Sequence, residues 1–155
     1  EIGFEKVVLN AACHTHPKVV EQLAQHYGNQ AVVASVDVKK NFWGTYEVFT
    51  HSGSRNTKLN PVDWCKQLES MGAGEILLTA IDKEGTWSGF DVNLIREVSE
   101  AVGVPVIAHG GAGNAEHIKR VVFEGKASAV ALGSLVVYQQ KGMGVLVNFP
   151  VLNFF

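Results

Sequence analysis

Residues 72–113, with the sequence GAGEILLTAIDKEGTWSGFDVNLIREVSEAVGVPVIAHGGAG, decide the fold of this chain. The pattern predicts a buried strand at Glu75–Ile81, an amphipathic helix at Asp91–Val102 and a second buried strand at Val104–Ala108. A polar loop follows the first strand and a glycine cluster follows the second. Such β-loop-α-β units build α/β domains, whose sites lie where the strands end. A glycine-rich loop leading into a helix also offers backbone N–H groups to phosphate, so we expect a domain that binds a phosphorylated small molecule.

The same alternation of strand and helix continues on both sides of this stretch. Further strands are predicted at Lys6–Asn10, Ala31–Val38 and Ala127–Leu132, a hairpin arm at Tyr46–Thr50, and helices at Pro17–Tyr27, Pro61–Met71 and Ala115–Glu124. The apolar runs are continuous, which is typical of parallel strands covered on both faces, and helices between them give right-handed crossovers. We therefore predict an α/β fold with five parallel strands.

An open doubly wound sheet and part of a (β/α)8 barrel both fit this order of elements. No G-x-G-x-x-G follows the first strand, which argues against a dinucleotide-binding fold. The glycine loops come late in the chain, where the phosphate sites of barrels usually lie. The barrel is the favoured architecture.

Composition excludes several classes of function. The 155 residues are 46% hydrophobic and 18% charged with a net charge of −2, so we expect one domain and no nucleic-acid partner. No apolar run is long enough for a membrane span and no signal peptide is recognisable, which predicts a cytoplasmic protein. Cys13 and Cys65 are expected to be reduced and buried. His14 and His16 form an H-x-H pair without further ligands, so neither a metal nor another cofactor is expected.

Six segments together resemble the cyclase subunit of imidazole glycerol phosphate synthase, a lyase of histidine biosynthesis. They are KVVLNAA, VVASVDVK, YEVFTHSG, GAGEILLTAIDKEGTWSGFD, VPVIAHGGAG and ALGS. SVDVKKNFWGTYEVFTHSG and the ending KGMGVLVNFP more closely resemble a paralogous branch, associated with acetamidino modification of sugars in surface-polysaccharide biosynthesis. The resemblance implies a TIM barrel that works with a glutaminase and, in that branch, with an amidotransferase.

The resemblance covers the fourth to the eighth of the barrel's eight strands. It implies a partial TIM barrel, (βα)5, over residues 1–138, and an apolar tail over residues 139–155 that covers an open edge or an interface. The catalytic aspartate of the family's first strand has no counterpart in this sequence. Five parallel strands cannot close, and exposed edges and apolar faces drive association. We therefore predict a homo-oligomer, or completion by a complementary N-terminal half-barrel.

By the resemblance, Asp37 is one of two aspartates that act as general acid and base in ring closure. Alternatively, Asp37 orders its loop with Lys39 as partner. The resemblance also assigns Asn10 to a substrate-binding position, although Ala11 replaces a threonine that usually follows. Asp82 and Glu84 either bind substrate hydroxyls or, for Asp82, hold the loop through backbone N–H groups.

The resemblance implies a phosphate cradle made of two glycine loops. Its residues are Gly110 and Gly111 after one strand, Gly133 and Ser134 after the last strand, and Thr79 and Gly85 serving the same half of the substrate. His109 stands where the cyclase usually has a serine, so it either contacts phosphate when protonated or narrows the pocket. The alternative is that these glycines only form tight turns.

At the opposite, amino-terminal end of the strands, Lys6 and Glu75 match positions of a charged ring that gates ammonia from a docked glutaminase. Ordinary solvation of strand ends is the alternative interpretation. Three functions remain open from the sequence: a cyclase, a sugar-phosphate-binding protein without turnover, and a barrel fragment that only assembles.

Overall fold

The computed structural model describes residues 3–138, 144, 145 and 147. Its strands are β1 (Val7–Leu9), β2 (Val32–Lys40), β3 (Tyr46–Thr50), β4 (Arg55–Asn56), β5 (Glu75–Ala80), β6 (Val106–His109) and β7 (Ala129–Ala131). Its α-helices are α1 (Ala11–Thr15), α2 (Lys18–Tyr27), α3 (Pro61–Ser70), α4 (Val92–Ser99), α5 (Ala115–Phe123) and α6 (Ser134–Val137), with a 3-10 turn at Asn29–Ala31.

Five of the strands form a continuous parallel sheet. The order is β1-β2-β5-β6-β7, and every neighbouring pair is parallel. β3 pairs antiparallel with the second half of β2, and β4 pairs antiparallel with β3, which completes a seven-stranded sheet. The predicted α/β class, the five parallel strands and the hairpin arm at Tyr46–Thr50 are confirmed. The architecture is that of a partial TIM barrel.

The two faces of this sheet are covered unequally. Along β2, Ala34, Val36 and Val38 are fully buried, while Ser35 and Asp37 between them are only half-buried. Because side chains alternate across a strand, one face is packed under the helices and the other is open. The covering of both faces that the continuous apolar runs indicate is therefore wrong for the described residues, whereas the exposed inner face expected of five strands that cannot close is observed. Helices on one face fit a barrel wall and not a doubly wound sheet, which has helices on both.

The covered face forms the hydrophobic core. Its fully buried side chains include Val36, Leu68, Ile76, Leu78, Leu94, Ile95, Ile118 and Val121. Burying one Leu or Ile side chain contributes about 1.5–3 kcal/mol, so this layer supplies most of the favourable free energy of folding. Cys13 and Cys65 are free and buried in the same core, as predicted.

Helix starts follow the capping residues of the sequence. The Asn60 side chain accepts hydrogen bonds from Val62 N and Asp63 N, and the Asp91 side chain accepts one from Leu94 N. α4 ends at Ser99, three residues before the predicted end at Val102. The short helices α1 and α6 were not predicted, because four or five residues carry no readable periodicity.

The tail at residues 139–155 lies mostly outside the described residues. Val145 forms an antiparallel bridge with Tyr138, and Val145 and Val147 are exposed. The cover that we expect this tail to provide stays a prediction. In the ranges that the structure describes, no helix combines the length and apolarity needed to cross a membrane.

Candidate functional site

Three polar side chains share one row at the carboxyl-terminal edge of the open face. The sheet register pairs Asp37 with Thr79, Thr79 with His109, and His109 with Ala131. Residues paired across parallel strands point to the same face, so this row lies on the open side with Ser35 one step below. The structure thus brings together residues that were predicted separately from three strands.

Asp37 is a half-buried carboxyl in this row. Burial raises its pKa above the usual range, while a hydrogen bond from the Asn10 side chain and the charge of His109 act in the opposite direction. No ion pair between Asp37 and Lys39 occurs among the described residues, so the alternative of a Lys39 partner is not supported. A half-buried carboxyl with a raised pKa on the open face is suited to proton transfer.

Asn10 follows β1 and reaches across to β2. Its Nδ2 donates to Ser35 Oγ at 3.3 Å. Ser35 was missed by sequence reasoning. The available signal was a lone hydroxyl in an apolar run, two residues before Asp37 and therefore on the same face of the strand.

His109 connects the sheet to the loop after β5. Its Nδ1 lies 3.2 Å from Thr79 Oγ1, and its Nε2 lies 3.6 Å from Glu84 Oε2. Thr79 is only 7% exposed, so its hydroxyl holds the imidazole from the buried side. The Glu84 carboxylate holds it from the solvent side.

The first glycine loop, Gly110 and Gly111, requires glycine for two reasons. Both residues have positive φ, +98° and +97°. A Cβ at Gly110 would lie 2.5 Å from the Ala80 carbonyl oxygen, and one at Gly111 would lie 2.3 Å from the Gly89 carbonyl oxygen. Close packing against the end of β5 and the loop after it therefore requires glycine at both positions. This supports the interpretation that the two glycines form a tight turn. It also fixes the backbone rigidly at the edge of the site.

The second glycine loop meets the Glu84 side chain. Ser134 Oγ donates to Glu84 Oε1 at 3.4 Å, and a Cβ at Gly133 would lie 2.9 Å from the same oxygen. A Cβ at Gly85 would lie 4.0 Å from Ser134 Oγ. Glu84, Gly85, His109, Gly133 and Ser134 therefore surround one small space, into which Glu84 places its carboxylate. Sequence reasoning did not foresee that an acidic side chain lies inside the predicted cradle.

Asp82 is exposed, and its side chain makes no hydrogen bond among the described residues. The turn after β5 is instead closed by backbone bonds from Lys83 N and Glu84 N to the Ala80 carbonyl. The interpretation that Asp82 holds this loop is therefore not supported.

Lys6 and Glu75 form an ion pair at the opposite end of the sheet. Lys6 directly precedes β1 and Glu75 begins β5, with β2 between them. The pairing brings together the two residues that the family resemblance assigned to an ammonia gate. An exposed pair of this kind is also ordinary at strand ends.

His14 and His16 do not converge on one point. His14 packs edge-on against Trp64, with ring centroids 6.0 Å apart, and His16 Nδ1 lies 2.9 Å from Thr15 Oγ1. Across the described part of the chain, no group of three or more His, Cys, Asp or Glu side chains is arranged to hold a metal ion.

Known proteins share this sequence over most of its length. A family model described as "Histidine biosynthesis protein" matches residues 1–142. The chain is 38% identical over 150 residues to the imidazole glycerol phosphate synthase subunit HisF of Nostoc sp., covering 95% of this chain and 58% of that protein. It is 40% identical over 152 residues to the putative imidazole glycerol phosphate synthase subunit hisF2 of Pseudomonas aeruginosa, covering 98% and 61%.

The chain therefore spans about three fifths of the length of these curated relatives. The two identities are nearly equal, so the assignment to the acetamidino branch stays a prediction. The matched range includes every strand of the sheet and both glycine loops. The chain belongs to the histidine biosynthesis protein family and is a cyclase-like barrel.

Proposed function

We propose that the carboxyl-terminal edge of the open face binds the phosphate of a small phosphorylated molecule, as part of an ammonia-dependent cyclase site. One observation carries this proposal: the Glu84 carboxylate lies against Gly133 and Ser134 and 3.6 Å from His109 Nε2. The Ser134 hydroxyl and the His109 imidazole both contact this carboxylate. Groups that bind a carboxylate oxygen can also bind a phosphate oxygen, so donors for an oxyanion converge at this point.

Backbone donors add to this point. The turn and loop hydrogen bonds of the described residues use none of the N–H groups of Gly110, Gly111 and Gly133. Gly110 and Gly111 have positive φ, and successive backbone N–H groups in such turns form concave sites that favour anions. A phosphate that replaces the Glu84 carboxylate would keep the Ser134 and His109 contacts and gain these donors.

Asp37 is the proposed proton-transfer group. Ring closure with ammonia needs one group that accepts a proton and another that donates one. Asp37 supplies the first of these from the same face as the cradle, with a pKa raised by burial. The second carboxylate would come from a complementary half-barrel or from another chain, and the site then acts as a lyase.

A binding protein without turnover is the second candidate, and the position of His109 favours it. Its imidazole lies between Thr79 and Glu84 and narrows the space where the cyclases usually have a serine. In that case the barrel holds a sugar phosphate and hands it to an assembled partner. The two candidates share the cradle and differ only in whether Asp37 is needed.

Phosphate binding is tested first, by calorimetric titration of the chain with ribose 5-phosphate. Ser134→Ala removes a donor and should weaken binding by about tenfold, as expected for a lost charge-assisted hydrogen bond. Gly133→Ala should also weaken binding, because its methyl group would lie 2.9 Å from the present position of Glu84 Oε1, which the phosphate would occupy. Ser54→Ala is the matched control, because Ser54 donates only to the His51 carbonyl in a different loop. Equal affinities of all four proteins would refute the cradle.

Turnover is tested separately, with the phosphoribosyl-formimino substrate of the cyclase class and ammonia. Asp37→Asn should abolish product formation and leave ribose 5-phosphate binding within about twofold, because Asp37 lies outside the cradle contacts. Both proteins are assayed alone and with an added N-terminal half-barrel that supplies the second carboxylate. Binding without turnover under both conditions selects the second candidate.

Partner proposals follow from the resemblance and from the open surfaces. The half-buried Leu77 and Ile107 on the open face and the exposed Val7 and Val8 on β1 support completion by a second copy or by an N-terminal half-barrel. A glutaminase is proposed to dock at the other end, around Lys6 and Glu75. Light scattering, with and without the glutaminase, tests both: a monodisperse monomer in each sample would contradict them.

A further inference from the structure

A second polar pocket lies at the rim of the sheet, and none of its lining residues belongs to the cradle. Its volume is about 210 Å³, and it is lined by Lys40, Lys83, Phe90, Asp91, Val92, Asn93 and Arg120. These residues come from the end of β2, the loop after β5, the start of α4 and the middle of α5. Water occupies about 30 Å³ per molecule, so the pocket has room for an oxyanion with a short substituent.

The pocket concentrates positive charge on a chain whose net charge is −2. Three cationic side chains line it, those of Lys40, Lys83 and Arg120, against a single carboxylate, that of Asp91. Three like charges around a small space repel one another unless an anion lies between them. This excess is the first indication of a ligand.

Asp91 pairs with only one of the three cations, Lys40, and its other oxygen has partners outside the set of cations. Oδ1 accepts hydrogen bonds from Tyr46 Oη at 2.8 Å and from Leu94 N at 3.2 Å. Oδ2 lies 3.8 Å from Lys40 Nζ, and this ammonium also lies 4.7 Å from the centre of the Tyr46 ring. Asp91 and Tyr46 thus hold Lys40 in position at the pocket wall.

The other two cations remain available to a ligand. Arg120 uses Nε for Glu124 Oε2 at 3.1 Å, which leaves its two terminal nitrogens out of that bond. Lys83 is half-buried and forms no ion pair with any described residue. Its neighbour Glu84 is committed to His109 and Ser134 on the other side of the loop.

The first turn of α4 adds a backbone donor. Val92 N bonds to the Phe90 carbonyl and Leu94 N to Asp91, but Asn93 N has no acceptor among the described residues. The positive end of the helix dipole lies at this turn and favours an anion. The Asn93 N–H therefore adds to the attraction that the three cationic side chains exert on an anion, but the pocket is defined without it.

We propose that Lys40, Lys83, Arg120 and the Asn93 N–H form a second anion site, which takes the phosphate group of a small molecule independently of the cradle. Two ammonium groups and a guanidinium with free terminal nitrogens match the several oxygens of a phosphate. A carboxylate, with fewer oxygens and less charge, should bind more weakly.

The test is a titration of the isotopically labelled chain with inorganic phosphate, followed by NMR. The amide signals of Val92 and Asn93 report on the rim pocket, and those of Gly133 and Ser134 report on the cradle. We expect the rim signals to shift and saturate, with acetate giving a weaker response. The Lys83→Gln and Arg120→Gln double variant should raise the rim dissociation constant by at least about tenfold and leave the cradle response unchanged.

The Lys66→Gln and Lys119→Gln double variant is the matched control, because it also removes two positive charges, at exposed positions that do not line the pocket. Rim signals that do not respond to phosphate would overturn the site. So would a loss of affinity in this control as large as in the Lys83→Gln and Arg120→Gln variant, since binding would then follow diffuse charge. Failure of the cradle shows at Gly133 and Ser134 alone, so the two proposals are tested separately.

Discussion

The two faces of the parallel sheet use alternate residues of the same strands for different purposes. On the covered face, Val36, Leu78 and Ala108 are apolar and fully buried. On the open face, the positions one residue later are Asp37, Thr79 and His109. The alternation of side chains along a strand thus places residues that stabilise the fold next to residues of the candidate site. A substitution on one face should change folding, and its sequence neighbour on the other face should change binding.

Leu77 and Leu78 test this separation most strongly, because they are adjacent and chemically identical. Leu78 is fully buried under the helices and Leu77 is half-buried on the open face. Leu78→Ala should lower the free energy of unfolding by about 2–5 kcal/mol, since it leaves a cavity in the core. Leu77→Ala should cost clearly less. Urea denaturation of both variants measures the difference, and equal losses would contradict the assignment of faces.

Glu84→Gln tests the open face through affinity. Removing the negative charge that lies against Ser134 and His109 should tighten binding of ribose 5-phosphate by up to about tenfold at neutral pH. Glu21→Gln on α2 removes the same charge far from the cradle and should leave affinity unchanged. Calorimetry measures both. Weaker binding in Glu84→Gln would mean that Glu84 holds the ligand and does not compete with it.

Asp37→Asn tests the same face through stability. Burial raises the pKa of Asp37 in the folded state above its unfolded value of 3.8. The folded chain therefore binds the proton more tightly, and the resulting stabilisation is complete below the unfolded pKa and lost as pH rises through the folded pKa. We expect Asp37→Asn to raise the melting temperature at neutral pH and to change it little at pH below the unfolded pKa. A melting temperature lowered at neutral pH would show that ionised Asp37 is a net stabilising group.

The smallest expected effect concerns the buried thiols of Cys13 and Cys65, which should not react with a thiol reagent in the folded chain. Burial raises the pKa of Cys13 to about 11 and that of Cys65 to about 12. Thiolate is the reactive form, so both should resist a thiol reagent in the native chain and react after unfolding. Absorbance of the released chromophore measures this. Rapid labelling under native conditions would indicate that the covered face opens readily.

The strands and most helices could be predicted because their signals are local. Asn60 with Pro61, and Asp91, mark the starts of α3 and α4, and both caps occur in the structure. The end of α4 is harder to predict. The N–H groups of residues 100–102 still bond back to Arg96 and Val98 in an irregular last turn, and the chain leaves the helix at Gly103, whose N–H bonds to Glu69 Oε1 on another helix. That acceptor is distant in sequence and leaves no trace in the periodicity.

The site divides in the same way. The row of Asp37, Thr79 and His109 follows from strand ends that meet at one edge, so sequence reasoning found its members. The position of Glu84 depends on backbone angles in the loop after β5, where Gly85 has φ +72° and Trp87 has φ +63°. The contact between Lys40 and Asp91 joins residues from different βα units. Neither the position of Glu84 nor the contact between Lys40 and Asp91 could be predicted from the sequence, because no pattern of residue spacing encodes them.

The short outer parallel strands limit how a partner chain could align itself on this sheet. Within the described residues, β1 and β7 flank the parallel sheet, and each has only three residues. The hairpin of β3 and β4 occupies the side of β2 beyond β1. A strand that docks at either edge would find too short a backbone ladder to fix its register. Correct alignment of an assembly would therefore depend on the fit of side chains over the open face, and unrelated extended chains would gain little from pairing there.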